Sequence, residues 1–537
     1  MKNRKYPLYE VDIVSNLKEL TDRTADRFKD LPAFTFERKK ELINISYRRF
    51  QSDIRALGAG LLIDGSAGCT VAVIGENSYE WILTYFAVAN SGRIVLPLDK
   101  ELNNADIKNL LDDSGAGTLV FSADYADVAR YMRDHEANIQ SYISMNQIQE
   151  LIDKGRDAIR SGEAVAEHEI EPQATAALLY TSGTTGKPKG VMLSHRNLAS
   201  DAVAACQHVG IFGNNMLVLP LHHSFGFVAA VCSMLLKGSE ICISSSLKRT
   251  VSDLTKFKPS NMFLVPLFVE TFYKKIWETA KKQGKDKLLK RMIGVSNVLL
   301  KAGIDVRRLL FSSIITSLGG NLKLIVSGGA PLDVKYVEGF RDIGINILNG
   351  YGITECSPIV SVNRNEYYRD GSVGLVLPCC EVKIAAPDED GHGDICVKGD
   401  SVMQGYYGNE QATSETFDGE WFITGDIGYM DEDGFLYISG RRKNLIILNN
   451  GKNVYPEEIE EELLHIEYIK EAVVYAEDNT IIAEVYLDTE KMPDCAGLLD
   501  QDIINLNKTL PVYKNIGKTR IRDVEFPKTT TKKIKRA

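Results

Sequence analysis

Apolar positions along the chain alternate between two rhythms. From Tyr47 to Leu61 they recur at helical spacing, Thr70 to Ile74 form a short apolar run of strand type, and Trp81 to Ala89 return to a helical pattern. A strand at Arg93 to Pro97, a helix at Asn104 to Asp113 and a strand at Thr118 to Ser122 repeat the unit. Alternation of this kind predicts a doubly wound α/β arrangement with parallel strands. A polar stretch, Asp153 to Gln173, then separates this region from an apolar strand at Ala174 to Tyr180 that feeds a turn-rich loop. Strand-like runs recur at Met216 to Leu219, Ile241 to Ser244, Met262 to Val265 and Leu322 to Val326, with helical stretches between them, so the sheet is expected to continue.

Past Gly371 the texture changes. Short glycine-punctuated strands at Glu381 to Ile384, Gly393 to Lys398 and Gly434 to Ser439 predict a small antiparallel or barrel-like subdomain over about 371–440. A helix at Glu457 to Leu464, strands at Ala472 to Ala476 and Ile481 to Leu487, and a helix at Leu499 to Leu510 predict a small α+β domain, with a boundary near Arg441 to Lys443. The expected fold class is therefore α/β. Stacked parallel-type sheets with helices and a β-barrel-like subdomain make up 1–440, and a small α+β domain makes up 444–537.

Composition narrows the function classes. The 537 residues suggest about two to four domains, and 44% hydrophobic with 25% charged residues is an ordinary folded-globular balance that excludes disorder. Sixty-three Lys and Arg against 72 Asp and Glu give a net charge of −9, which disfavours nucleic acid as a partner. The nine cysteines are scattered and include no Cys-x-x-Cys pair, so reduced thiols are expected rather than a zinc cage or disulfide framework. Met1 to Asn16 is charged and lacks the apolar run of a secretory signal. The longest nearly apolar run, Phe225 to Leu236, is far shorter than the ~20 residues a bilayer demands. A cytoplasmic protein is expected, with any membrane contact peripheral on the inner face.

The most informative segment is Tyr180-Thr181-Ser182-Gly183-Thr184-Thr185-Gly186-Lys187-Pro188-Lys189-Gly190. It sets four Ser and Thr hydroxyls, three glycines and two lysines directly after one strand. Glycines let backbone N–H groups approach oxygen, hydroxyls add donors, and lysine offsets charge, so the composition suits polyphosphate. It is not a Walker loop, because two residues rather than four separate Gly183 from Gly186 and Pro188 follows Lys187. A flexible linker is the bland alternative, but linkers rarely combine an upstream apolar strand, two lysines and a downstream apolar Val191 to Leu193.

With this segment the sequence resembles the AMP-forming acyl-CoA synthetase, or adenylate-forming, superfamily. Further matches follow in the family's order: Pro220 to Gly226, Ser327 to Leu332, Asn349-Gly350-Tyr351-Gly352-Ile353-Thr354-Glu355, Thr424-Gly425-Asp426, Gly440 to Lys443, Gly451 to Glu460, and Pro527 to Arg536. The resemblance implies that ATP, Mg²⁺ and the co-substrate CoA are used. It assigns Thr181, Ser182, Gly183, Thr184, Thr185, Gly186 and Lys189 to the phosphates, and Gly328, Gly329, Ala330, Asn349, Gly350, Tyr351 and Gly352 to the adenine. Thr354 is assigned to the α-phosphate, Glu355 with Thr181 to the metal, and Asp426 with Arg441 to the ribose side of the nucleotide. His223 falls at the position beside the acyl pocket, whereas its neighbour His222 has no assigned role. Lys533 matches the catalytic lysine, and Lys443 the hinge, over 441–443, of a mobile C-terminal domain that follows an N-terminal adenylation domain. One departure stands out: the family usually places Gly before this lysine, and here it is Lys532.

The reaction implied has two halves. A carboxylate attacks the α-phosphate to give acyl-AMP and pyrophosphate, and a thiol then displaces AMP. The basic, aliphatic stretch from Phe272 to Leu310 resembles the insert of long-chain fatty acid CoA ligases, which implies a fatty acid substrate. Lysines and leucines interleaved there also suit an anionic bilayer, although a solvated helical face fits the same pattern. A ligase loading the phosphopantetheine arm of an acyl carrier protein is the alternative acceptor reading. An inactive nucleotide-binding relative has Lys532 as its sole support.

Overall fold

The computed structural model describes residues 6–163, 169–181, 188–244, 246, 249–449, 452–489, 492–493, 495–528, 534 and 536. The chain divides into two compact units. The first runs to Glu381 and takes in Val397–Phe422, and the second comprises Val382–Cys396 and the chain from Ile423 onward.

The first unit holds two large sheets. In the seven-stranded sheet, strands Thr70–Ile74, Ile94–Pro97, Thr118–Phe121 and Ser141–Ser144 run parallel, as the alternating rhythm predicts. Thr175–Thr181 joins them beside Ile94–Pro97 and turns back into an antiparallel partner, Lys189–Ser194, with Gly405–Tyr406 at the edge. The later strands do not extend this sheet, contrary to the sequence expectation. Asn215–Leu217, Ile241–Ile243, Asn261–Leu264, Leu324–Ser327 and Asn346–Gly352 build a second, nine-stranded sheet with a parallel centre. A hairpin unanticipated from the sequence, Pro32–Arg38 with Glu41–Ser46, closes one edge, and Ile359–Val362 with Leu375–Val376 closes the other.

The polar stretch after Asp153 was expected to separate elements, but its first part belongs to a helix, Ile148–Ser161. Its buried positions Ile148, Leu151, Ile152, Gly155 and Ala158 keep helical spacing beneath a polar outer face, so average polarity hid the pattern. The helix crosses Tyr47–Ile63 closely: a Cβ on Gly155 would lie 1.9 Å from the Ala56 carbonyl oxygen. Any larger residue there would force the two helices apart and strip several buried contacts, each apolar side chain contributing about 1.5–3 kcal/mol.

His195 opens the helix His195–His208 fully buried, and its Nδ1 accepts the Leu17 N–H at 3.4 Å. Burial pushes its pKa down to about 4. The unfolded chain binds this proton near the ordinary value of about 6.5, so stability falls as pH drops from about 6.5 to about 4, by up to about 3 kcal/mol. Urea midpoints measured across that window should fall with acidification, and His195→Gln should flatten the slope. An unchanged slope would remove His195 from this role.

The second unit begins with an antiparallel sheet of Cys380–Ala385, Gly393–Gly399, Trp421–Met430 and Leu436–Arg441, whose strands carry the chain across the division. Its C-terminal part is the expected α+β arrangement: strands Ile469–Glu477, Thr480–Leu487 and Ile516–Arg522 with helices Pro456–Leu464 and Leu499–Asn507. Pro456 at the first helical position and Glu457 and Glu458 in the first turn suit a helix start. Ile459, Leu463, Val474, Ala483, Val485 and Ile503 make its core.

Candidate active site

Among the first-unit candidates, Gly328 and Gly329 and the run Asn349 to Glu355 lie at the carboxyl ends of the parallel strands Leu324–Ser327 and Asn346–Gly352, where open α/β sheets bind ligands, whereas Thr181 and Lys189 stand on the other sheet. A cavity of about 80 Å³ lies there, bordered by Ser327, Gly328, Gly329, Gly350, Tyr351 and Gly352 and by Phe225, Phe263, Val326, Ile359 and Val362. Ala205, Val209 and Ile211, at and just beyond the end of helix His195–His208, line it as well. Its walls are almost wholly aliphatic, aromatic or glycine. Gly352 is dictated by packing, since a Cβ there would sit 2.0 Å from the Pro358 carbonyl oxygen.

The run Phe225–Cys232, apolar along nearly its whole length, winds as a π-helix. Such windings are rare and occur often at functional sites. Here the wider turn sets Phe225, Ala229 and Ser233 on the cavity wall. Spacing in the sequence carried no sign of this, because apolar residues occupy every face.

Two buried polar atoms lie on the strands that end at the glycine-lined side of the cavity, Leu324–Ser327 and Asn346–Gly352. Asn349 Oδ1 and Ser327 Oγ have no hydrogen-bond partner among the described residues. An orphaned buried acceptor costs about 1–3 kcal/mol, so both atoms suit a polar ligand such as the edge of a purine base. Tyr351 lines the same cavity.

Thr354 and Glu355 stand on a single 3₁₀ turn, Thr354–Cys356, directly after the strand carrying Tyr351. Glu355 is fixed at two points. Its backbone carbonyl accepts Met403 N–H at 2.8 Å, and Oε1 accepts the Tyr406 hydroxyl at 3.0 Å. Oε2 takes no hydrogen bond among the described residues and remains open to a hard cation, for which a carboxylate beside phosphate oxygens is the preferred donor set. Burial and the adjacent Glu355 carboxylate push the Tyr406 phenol pKa up, so the phenol keeps its proton and donates. Lys189 Nζ lies 4.8 Å from the centre of the Tyr406 ring. Tyr406 thus joins the Lys189 strand to Glu355, a link sequence reasoning missed because the tyrosine lies some fifty residues from its partner.

The glycine- and hydroxyl-rich segment connects two antiparallel strands in register Tyr180 with Gly190 and Thr181 with Lys189. A hairpin of this kind differs from the strand–loop–helix of a Walker site. Thr181 and Lys189 stand at its base, whereas Ser182, Gly183, Thr184, Thr185 and Gly186 lie outside the described residues.

The His222 side chain, 9% exposed, lies against Asp99, Nε2 to Oδ1 3.4 Å, and its ring centre lies 4.2 Å from that of His223. Burial first, then the neighbouring His223, push its pKa down to about 3, with Asp99 opposing. The ring is neutral near pH 7 and braces His223, which is held further by its N–H to the Pro220 carbonyl at 3.3 Å. Phe225, two residues on, lines the cavity.

In the second unit Asp426 and Arg441 face one another across paired strands, and Arg441 Nε contacts Asp426 Oδ1 at 2.7 Å. Asp426 is nearly buried and its backbone N–H donates to Thr424 Oγ1 at 3.0 Å. Lys443 lies in the short turn Arg442–Asn444, whose Arg442 pairs with Asp394. Lys532 and Lys533 lie outside the described residues. On either side of them, Ile534 bridges to Lys528 and Arg536 pairs with Glu460 and Glu457.

One cavity with glycine, aliphatic and aromatic walls, two unpartnered polar atoms on the strands that reach it and a carboxylate fixed in the turn that follows suit a ligand that is apolar in part and polar at one edge. The family model described as AMP-binding enzyme matches residues 21–407. The chain belongs to this family of adenylate-forming enzymes. It is 30% identical to a long-chain-fatty-acid–CoA ligase, FadD15, of Mycobacterium bovis, over 90% of this chain and 88% of the relative. It is 28% identical to the long-chain-fatty-acid–CoA ligase of Salmonella typhimurium, over 98% and 94%. Among solved structures, the O-succinylbenzoate coenzyme A synthetase of Bacillus subtilis in complex with AMP superimposes with a TM-score of 0.74 at 25% identity, covering 96% of each chain. That enzyme is also solved with ATP and magnesium ion.

Proposed function

We propose that this protein activates a long-chain fatty acid with ATP to acyl-AMP, releasing pyrophosphate, and transfers the acyl group to CoA. The observation that carries the substrate class is the likeness over nearly the whole chain to long-chain-fatty-acid–CoA ligases, and the apolar walls of the cavity beside Tyr351 suit the acyl part.

The residues then act as follows. Asn349 and Ser327 satisfy the base through their unpartnered atoms, while Tyr351 stacks on it. Thr354 hydrogen-bonds the α-phosphate, and Asp426 with Arg441 takes the ribose. Thr181 and Glu355 would hold Mg²⁺, the latter aimed by Tyr406. Bound there, the ion neutralises phosphate charge during attack. Lys533 offsets the charge that grows between the carboxylate and the α-phosphate. Hinge motion at Lys443 would gate the second half-reaction.

Acid-dependent exchange of pyrophosphate into ATP, measured from acetate to stearate, tests the substrate class. Exchange should rise with chain length and be highest with long chains. Ala205→Phe, which fills the cavity, should lower kcat/KM for palmitate by about tenfold while changing that for hexanoate less than threefold. Equal exchange with acetate and palmitate, or a Phe variant that loses both acids equally, would contradict it.

A further inference from the structure

The chain ahead of the first helix, Leu17–Phe28, takes no part in the site described above, yet it lies directly behind one wall of the cavity. Tyr9 donates its backbone N–H to the Gln207 carbonyl at 2.8 Å. Its ring rests on Gly210, where a Cβ would meet Tyr9 Oη at 2.7 Å and Cζ at 2.8 Å. The residues flanking Gly210, Val209 and Ile211, are buried and line the cavity. Tyr9 therefore backs the wall they form. Arg364, two residues beyond the cavity-lining Val362, fastens the segment in place. It is 5% exposed, and its guanidinium donates to three carbonyls: Nη1 to Tyr6 at 2.5 Å, Nη2 to Pro7 at 2.6 Å and Nε to His208 at 3.1 Å. Two of these belong to the N-terminal segment and the third to the residue before Val209. Tyr6 stacks on Tyr367 with ring centres 5.1 Å apart. Asn365 holds Gly210 as well, accepting its N–H at 2.7 Å and donating to its carbonyl at 2.9 Å.

The size of the cavity gives this arrangement a use. Its volume of about 80 Å³ is about half the ~150 Å³ of a cavity that takes benzene, so a chain of sixteen carbons enters only if a wall yields. Phe225, Ala229 and Ser233 stand on helical turns, and Val326 and Gly350 on strands of the central sheet. Those walls are fixed by secondary structure. Val209 and Ile211 stand instead on the loop between helix His195–His208 and strand Asn215–Leu217, and what holds that loop from behind is the segment with Tyr9 and the side chains of Arg364 and Asn365.

We infer that Tyr6 to Tyr9, fastened by Arg364, form a strap that closes the outer wall of the cavity and sets selectivity for acyl-chain length. The Val209 to Ile211 loop stays shut on a short acid and moves outward against the strap for a long one. The work of displacing the strap is then charged to long chains alone. The inference rests on the substrate class proposed above.

The test is pyrophosphate exchange with hexanoate and with stearate in the full chain and two variants that loosen the strap from opposite sides. Tyr6→Ala/Tyr9→Ala removes its rings, and Gly210→Ala pushes Tyr9 off the wall. An aromatic contact of this kind is worth about two- to tenfold, so each variant should raise kcat/KM for stearate relative to hexanoate by about fivefold, with hexanoate itself within about twofold of the parent. Adding Gly210→Ala to the tyrosine variant should change nothing more, because the ring that the new methyl meets is gone. A purely structural role would instead lower the thermal midpoint and both acids together. Hydrogen exchange gives a second reading: the Tyr9 amide, bonded to Gln207, should exchange faster in the complex with a non-hydrolysable palmitoyl-adenylate analogue than in that with the hexanoyl analogue. An unchanged or lowered stearate preference in both variants, or Tyr9 exchange indifferent to chain length, would overturn the strap while leaving the ligase reading intact. No exchange with any acid would overturn that reading and the strap with it.

Discussion

Lys533→Ala should slow acyl-adenylate formation by about two to three orders of magnitude, the size of effect seen when a single charge-stabilising donor is removed from a reacting centre. The loss should appear in kcat rather than in the KM for ATP, because charge between the carboxylate and the α-phosphate develops only as the attack proceeds. Supplied with preformed acyl-AMP and CoA, the variant should make thioester at a rate within about threefold of the parent. That split distinguishes a residue specific to the first half-reaction from one that merely holds the chain end. The distinction matters here because Arg536, three residues on, pairs with Glu457 at 3.4 Å and also with Glu460, and so ties down the tail. Arg536→Gln, which loosens the tail as a whole, should therefore impair both half-reactions alike. Undiminished pyrophosphate exchange in Lys533→Ala would remove the lysine from the mechanism.

Asp426→Ala should raise the KM for ATP by about ten- to a hundredfold, with a smaller change in kcat. One carboxylate can accept from both ribose hydroxyls, and charge-assisted hydrogen bonds of this kind are about twice as strong as neutral ones. Asp426 is nearly buried while the side chain of its partner Arg441 is 41% exposed. Deleting the acid leaves a cation that water can solvate, so the fold should survive. Asp426→Asn keeps a hydrogen-bond acceptor and should fall between the two. ATP affinity can be read directly by calorimetry without acid substrate. A Kd unchanged in Asp426→Ala would exclude the ribose role.

How far the sequence revealed this molecule depended on whether local pattern or distant contact decided each feature. Thr70 to Ile74 was legible to the residue, because a parallel strand buried on both faces reads as a nearly continuous apolar run. The C-terminal α+β unit was legible for the same reason, its strands and helices changing rhythm cleanly. Helix Ile148–Ser161 was obscured by its polar outer face, and the second sheet by the absence of any local sign of which strands pair. At the site, the motif residues were visible in order along the chain. What the sequence could not show was what surrounds them: the π-helical turn that aims Phe225 and Ala229, the unpartnered Asn349 Oδ1, and the Tyr406 hydroxyl on Glu355. Each of these depends on residues distant in sequence or on a winding that composition does not encode.

The central claim, ATP-driven joining of a long-chain fatty acid to CoA, is tested most directly by following AMP and thioester together. The purified protein would be given Mg-ATP, CoA and palmitate, with AMP quantified and the thioester identified by mass, and acetate and an acid-free reaction run beside it. Equimolar AMP and palmitoyl-CoA, at least about tenfold faster than the acetate reaction, are expected. Palmitate-dependent pyrophosphate exchange without any CoA thioester would contradict CoA as the acceptor, and no exchange with any acid would contradict the ligase itself.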